Sequence, residues 1–160
     1  MSNWINKLEN EDRQKVQSDE DRKTIFNQSR AIIADIVQKV KTDVEEVNRR
    51  LFNGRDTFQV EEQRYSETEA RKSEFSVFTQ VLPAAYLYVY FDYTKSALTR
   101  TMVTVADQNS TGRKRTLPDI EIKLAPNGTP YFQFEGKTIV EDEITEQFIL
   151  PAVQFHKEGR

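Results

Sequence analysis

The sequence predicts an α+β fold: a long N-terminal helix, an antiparallel meander of about six strands and a short C-terminal helix. Three observations carry this prediction. Apolar residues between Phe26 and Leu51 recur mostly at steps of three and four, the spacing of one helix face. From Phe58 to Phe134 they alternate with polar residues instead, the spacing of a strand. The links between the alternating runs are short or polar and carry no helical pattern, so sequential strands pair antiparallel.

Each element follows in order. Phe26, Ile33, Val37, Val40, Val44, Val47 and Leu51 form the helical stripe, and Ile32 and Ile36 widen its middle. Lys39, Lys41, Asp43, Glu45, Glu46, Arg49 and Arg50 cover the other faces. Neither Gly nor Pro interrupts the chain from Met1 to Asn53, and Asn53-Gly54 then supplies the left-handed residue that ends a helix. Ser18-x-x-Asp21 reads as a capping box and sets this helix at 19–52. Residues 1–18 become an arm or a short helix around Trp4, Ile5 and Leu8, and 19–160 a single domain. The segment "ENEDRQKVQSDEDRK" is almost free of apolar side chains and must be solvated.

The strands occupy 58–135. Phe58 and Val60 begin the alternation, and Phe75, Val77, Thr79 and Val81 continue it after "SETEARK". "AYLYVYFDY" (Ala85 to Tyr93) and "LTRTMVTVA" follow, then a polar loop "DQNSTGRKRTLPD" and the strand "IEIKLA". Asn127-Gly128 is a strong hairpin signal, with "PYFQFE" as the return strand. A C-terminal helix is expected over 140–150, with Val140, Ile144, Phe148 and Ala152 at steps of four and Pro151 kinking or ending it. A helix over 19–52 is roughly 50 Å long. Six strands side by side span only about 28 Å. Part of the helix therefore overhangs the sheet, or the helix breaks near "NQSR".

Composition excludes several chemistries. The 160 residues include no cysteine and a single histidine, His156, so disulfides, thiolate nucleophiles and multi-histidine metal sites have no residues to build them. No P-loop, GxGxxG or GxSxG motif is present, and no cofactor is expected. Glu141, Asp142 and Glu143 are adjacent and point in different directions on a helix, which suits an N-terminal turn better than a cation. A net charge of −3 argues against a protein that coats nucleic acid. The N-terminus has no basic head followed by an apolar run, and no window is apolar enough to span a bilayer. The expected location is the cytoplasm.

Two places carry candidate function. Tyr86, Tyr88 and Tyr90 alternate with Leu87, Val89 and Phe91, so one set lies under the helix and the tyrosines face the other way. That face is too aromatic for ordinary solvent surface, so it is covered by the C-terminal helix or by Trp4, Ile5 and Leu8, or it is a surface for association or stacking. The first expectation is a module without catalytic activity that binds another protein or a second copy of itself. It would do so through Tyr86, Tyr88 and Tyr90, or through the helix overhang with Phe26 and Ile33. The alternative is a nucleic-acid-binding module that stacks bases on the tyrosines and contacts phosphate with Arg113, Lys114 and Arg115. A pocket between helix and sheet, for a small ligand or for catalysis, is the third reading. A surplus of apolar surface on both elements leads us to expect a homo-oligomer.

Overall fold

A computed structural model describes residues 3–158, so the outer ends of the expected segments 1–18 and 19–160 lie outside the described residues. Helix α1 runs without a break over Asn3–Leu51. Strands follow at Gln59–Glu62 (β1), Tyr65–Ser66 (β2), Arg71–Lys72 (β3), Phe75–Thr79 (β4), Ala84–Asp92 (β5), Ala97–Val105 (β6), Arg113–Leu124 (β7), Pro130–Phe134 (β8) and Lys137–Ile139 (β9). A 3-10 turn at Glu141–Glu143 leads into helix α2, Glu146–Glu158. The main sheet has seven strands in the order β1-β4-β5-β6-β7-β8-β9, every pair antiparallel. This is the expected α+β meander with one more strand than the sequence predicted. β2 and β3 pair with each other as a separate hairpin.

The pleat divides the sheet into two faces. Val77, Leu87, Val89, Leu98, Met102, Ile120 and Ile122 point to one side and are buried under both helices. From α1 this core receives Ile25, Ile32, Ile36, Val37, Val40 and Val44, and from α2 Phe148, Ile149, Ala152 and Val153. The buried face of α1 is thus rotated from the expected stripe, and Phe26 and Leu51 are exposed. Ser29 and Asn48 hold positions on that face instead. Asn48 is held because it mimics a strand. Its Nδ2 donates to the Phe58 carbonyl at 2.8 Å and its Oδ1 accepts from the Phe58 N–H at 2.9 Å. Two backbone groups at the entrance to β1 would otherwise be buried without partners.

The helix expected over 140–150 lies at 146–158, and Pro151 sits inside it without ending it. Proline has no N–H, so the carbonyl four residues back, that of Gln147, loses its helical donor. Arg100 supplies the substitute: its Nη1 donates to the Gln147 carbonyl at 2.6 Å and its Nη2 to the Pro118 carbonyl at 2.7 Å. The second bond falls at an irregularity in β7. Leu98 faces Ile120 but Arg100 faces Leu117, so Thr99 opposes two residues, Pro118 and Asp119. A bulge is where a strand tolerates proline. The buried guanidinium therefore ties β6, β7 and α2 together at their two prolines. Desolvation draws its pKa down to about 10.

Candidate functional site

The first 16 described residues of α1, 3–18, are exposed along their whole length. Contact with the body begins near Asp19 and Arg22, where Arg22 pairs with Asp19 and donates to the Thr94 carbonyl at 3.2 Å. The capping box expected at Ser18 does not start a helix, because α1 continues through it. Straight-chain residues with good helix propensity fill the polar segment, and local pairs such as Gln17 to Asp21 and Arg13 with Glu9 add to it. At 1.5 Å per residue this exposed part is roughly 24 Å long, and its inner end, Gln14, Gln17 and Ser18, lines a cleft with Thr94 and Tyr131 of the body. It carries Trp4, 64% exposed, Leu8, 50% exposed, and also Ile5 and Val16. Trp4, Ile5 and Leu8 fall within one turn and on one side. Where α1 meets the body, Phe26, Ile33, Val37 and Phe91 line an open groove with Arg30, Glu62 and Glu74 on its banks. Phe26 is also set edge-on to Tyr93, with ring centroids 4.8 Å apart.

The tyrosine face is not open. Residues 63–74 fold back across it, with the β2–β3 hairpin as their middle. Gln63 N–H donates to the Glu74 carbonyl and Ser73 N–H to the Arg64 carbonyl. Phe78, Tyr86 and Tyr88 stack in a row at 5.8 and 6.5 Å. The Arg64 guanidinium lies 4.3 Å above the Phe78 ring centroid, and Arg71 lies 4.0 Å above that of Tyr90. Tyr88 and Tyr90 are consequently buried, Tyr90 at 2% exposure, while Tyr86 is half-buried. Burial also pushes the Tyr90 phenol pKa up. The far end of the flap is latched by Glu69, which accepts from Lys114 at 2.5 Å and from Thr101 Oγ1 at 3.3 Å. The Lys114 ammonium holds the Glu69 carboxyl below the ordinary carboxylate range. Neither α2 nor Trp4, Ile5 and Leu8 supplies the cover.

Arg113, Lys114 and Arg115, expected in a loop, are the first three residues of β7. Their partners are Thr104, Val103 and Met102 on β6, so the pleat splits the triplet. Lys114 points to the tyrosine face and is bound by Glu69. Arg113 and Arg115 point to the opposite side. The tyrosines and these two arginines do not form one surface. Instead, the arginines line a cavity of about 900 Å³ with Met102, Thr104, Thr111 and Phe155 of α2. The sequence held a signal for it: Arg113, Arg115 and Leu117 already alternate, and Leu117 is buried.

Among the described residues no group of three or more His, Asp or Glu could hold a metal ion. Asp142 and Glu143 lie in the 3-10 turn before α2, and the side chain of Glu141 lies outside the described residues. His156 is occupied structurally, its Nδ1 2.9 Å from the Pro83 carbonyl and its ring edge-on to Phe52 and Phe58. No helix among the described residues is long and apolar enough to cross a membrane. Comparison with protein-family models, with curated proteins and with solved structures found no match.

Proposed function

We propose that this protein is a non-enzymatic interaction module whose docking element is the helical arm of residues 3–18, and that its first partner is a second copy of the chain. The observation that supports this reading is the arm itself. An isolated helix of that length is marginal in water, because most helical stability comes from packing an apolar face. Apart from Val16, the exposed apolar side chains of the arm's described residues cluster as Trp4, Ile5 and Leu8 at the far end, a pattern suited to the helix-in-groove mode of recognition. The same chain offers a groove floored by Phe26, Ile33 and Phe91. Anchor and groove on one molecule allow two copies to exchange arms through identical contacts. A cytoplasmic setting accords with a chain that has no cysteine.

Trp4 is the single tryptophan, so its fluorescence reports on the arm alone. The expected result is a concentration-dependent rise in mass by light scattering, together with a blue shift of Trp4 emission. Trp4→Ala with Leu8→Ala, or deletion of residues 3–18, should return the mass to that of one chain without altering the melting temperature. An 18.7 kDa species at all concentrations, with unshifted emission, would overturn self-association.

A further inference from the structure

We propose that the cavity between β7 and the end of α2 binds a small phosphate-bearing anion of nucleotide size, with its phosphates shared between Arg113 and Arg115. Its volume of about 900 Å³ lies within the range that suits small-molecule sites. The arginines occupy alternate positions on one strand face, with Cα atoms roughly 7 Å apart. Their flexible guanidiniums can therefore close on adjacent phosphate groups. Each presents the planar fork that matches phosphate oxygens, and neither makes an ion pair with a described residue. No carboxylate lines the cavity to compete. The nearby Asp107 is turned into its own loop, where it accepts from the Asn109 N–H at 2.8 Å and from Ser110 Oγ at 3.0 Å. Thr104 and Thr111 bring hydroxyls that rotate to donate, and Met102 and Phe155 supply an apolar wall for the remainder of the ligand. The site is independent of the arm, none of whose residues lines the cavity.

Calorimetric titration of the intact protein with inorganic phosphate, pyrophosphate and ATP tests this. Pyrophosphate and ATP should bind, with phosphate alone at least tenfold weaker, because one group cannot engage both arginines. Arg113→Ser with Arg115→Ser should weaken binding by tenfold or more while the ligand-free melting temperature holds. The paired Lys replacements should fall between, since charge survives and the fork does not. Lys123→Gln, on β7 but outside the cavity lining, should change affinity by less than about twofold. Equal loss from Lys123→Gln and from the arginine variants would overturn the site in favour of diffuse attraction. So would a single-stranded oligonucleotide that binds more tightly than ATP and gains affinity with length, which would mean a nucleic-acid track. No heat with either polyphosphate would overturn it outright.

Discussion

The substitution Arg100→Met, made with and without Pro151→Ala, puts a number on the link between the two prolines and the buried guanidinium. Arg100 makes two charge-assisted bonds to carbonyls, those of Gln147 and Pro118. Losing them costs roughly 3–6 kcal/mol at about 1.5–3 kcal/mol each. Against this stands the cost of burying the charge. The guanidinium pKa falls from its ordinary value to about 10, which corresponds to roughly 3 kcal/mol. At neutral pH the side chain is charged in both folded and unfolded states, so the whole of that cost is present and methionine removes it. The difference predicts a net loss of about 0–3 kcal/mol for Arg100→Met. Pro151→Ala restores an N–H four residues beyond Gln147, and the orphaned carbonyl regains a helical donor. In that background Arg100→Met should cost less by about 1–2 kcal/mol. Urea unfolding of the four proteins with a common m-value measures the cycle. Costs that add to within about 0.3 kcal/mol would refute the idea that the arginine stands in for the missing proline N–H.

Asn48→Ala leaves the N–H and carbonyl of Phe58 buried and unpaired, and should lower stability by about 2–4 kcal/mol in the same urea assay. Asn48→Asp keeps the acceptor but sets a carboxylate against the Phe58 carbonyl, so it should not rescue the loss. The Glu69 latch should release in acid: its folded pKa is depressed, so its contribution is present above the unfolded value of about 4.3 and is lost as pH falls through the folded pKa. Half-exposed Lys114 limits that contribution to about 0.2–1 kcal/mol, but protection of residues 64–73 from hydrogen exchange, taken relative to the intrinsic rate at each pH, should fall over this window, and Glu69→Gln should abolish the pH step. Ser76 Oγ is buried on the tyrosine face and meets no hydrogen-bonding partner among the described residues, so Ser76→Ala should leave the urea midpoint unchanged or raise it.

Where one face of an element is apolar and the next residue is not, the sequence is readable. Leu87 and Val89 against Tyr86 and Tyr88 located β5 and its two sides, and Asn127-Gly128 located the β7–β8 turn. The misreadings have a common physical origin in partners distant along the chain. The helix phase shifted because Asn48, polar by type, is buried by its bonds to Phe58. Pro151 reads as a helix stop until Arg100, 51 residues earlier, is brought beneath it. The flap over the tyrosines has strands of two residues each, too short to show alternation, and it is held by Arg64, Arg71 and Glu69 rather than by apolar contacts. The first residues of β7 are charged on both faces, so that strand resembled a loop. Trp4, Ile5 and Leu8 were visible as an apolar cluster, but continuity of the helix beneath them depends on propensity rather than on a buried stripe.

Helix α1 precedes every strand, yet its docking partners include Ile144, Thr145 and Phe148; Thr145 Oγ1 donates to the Asp43 carboxylate at 2.5 Å across 102 residues. Synthesis therefore delivers the helix long before the second helix that completes its site. Through that interval Ile32, Ile36, Val40 and Val44 have no finished core to enter and present a sticky ridge to the surroundings. The meander can zip up strand by strand in the meantime, because each new strand pairs with one just made. Closure of the core must wait for α2. A nascent protein of this design has a vulnerable period set by translation speed, and slowing the ribosome within the strand-coding region should lengthen its dependence on chaperones.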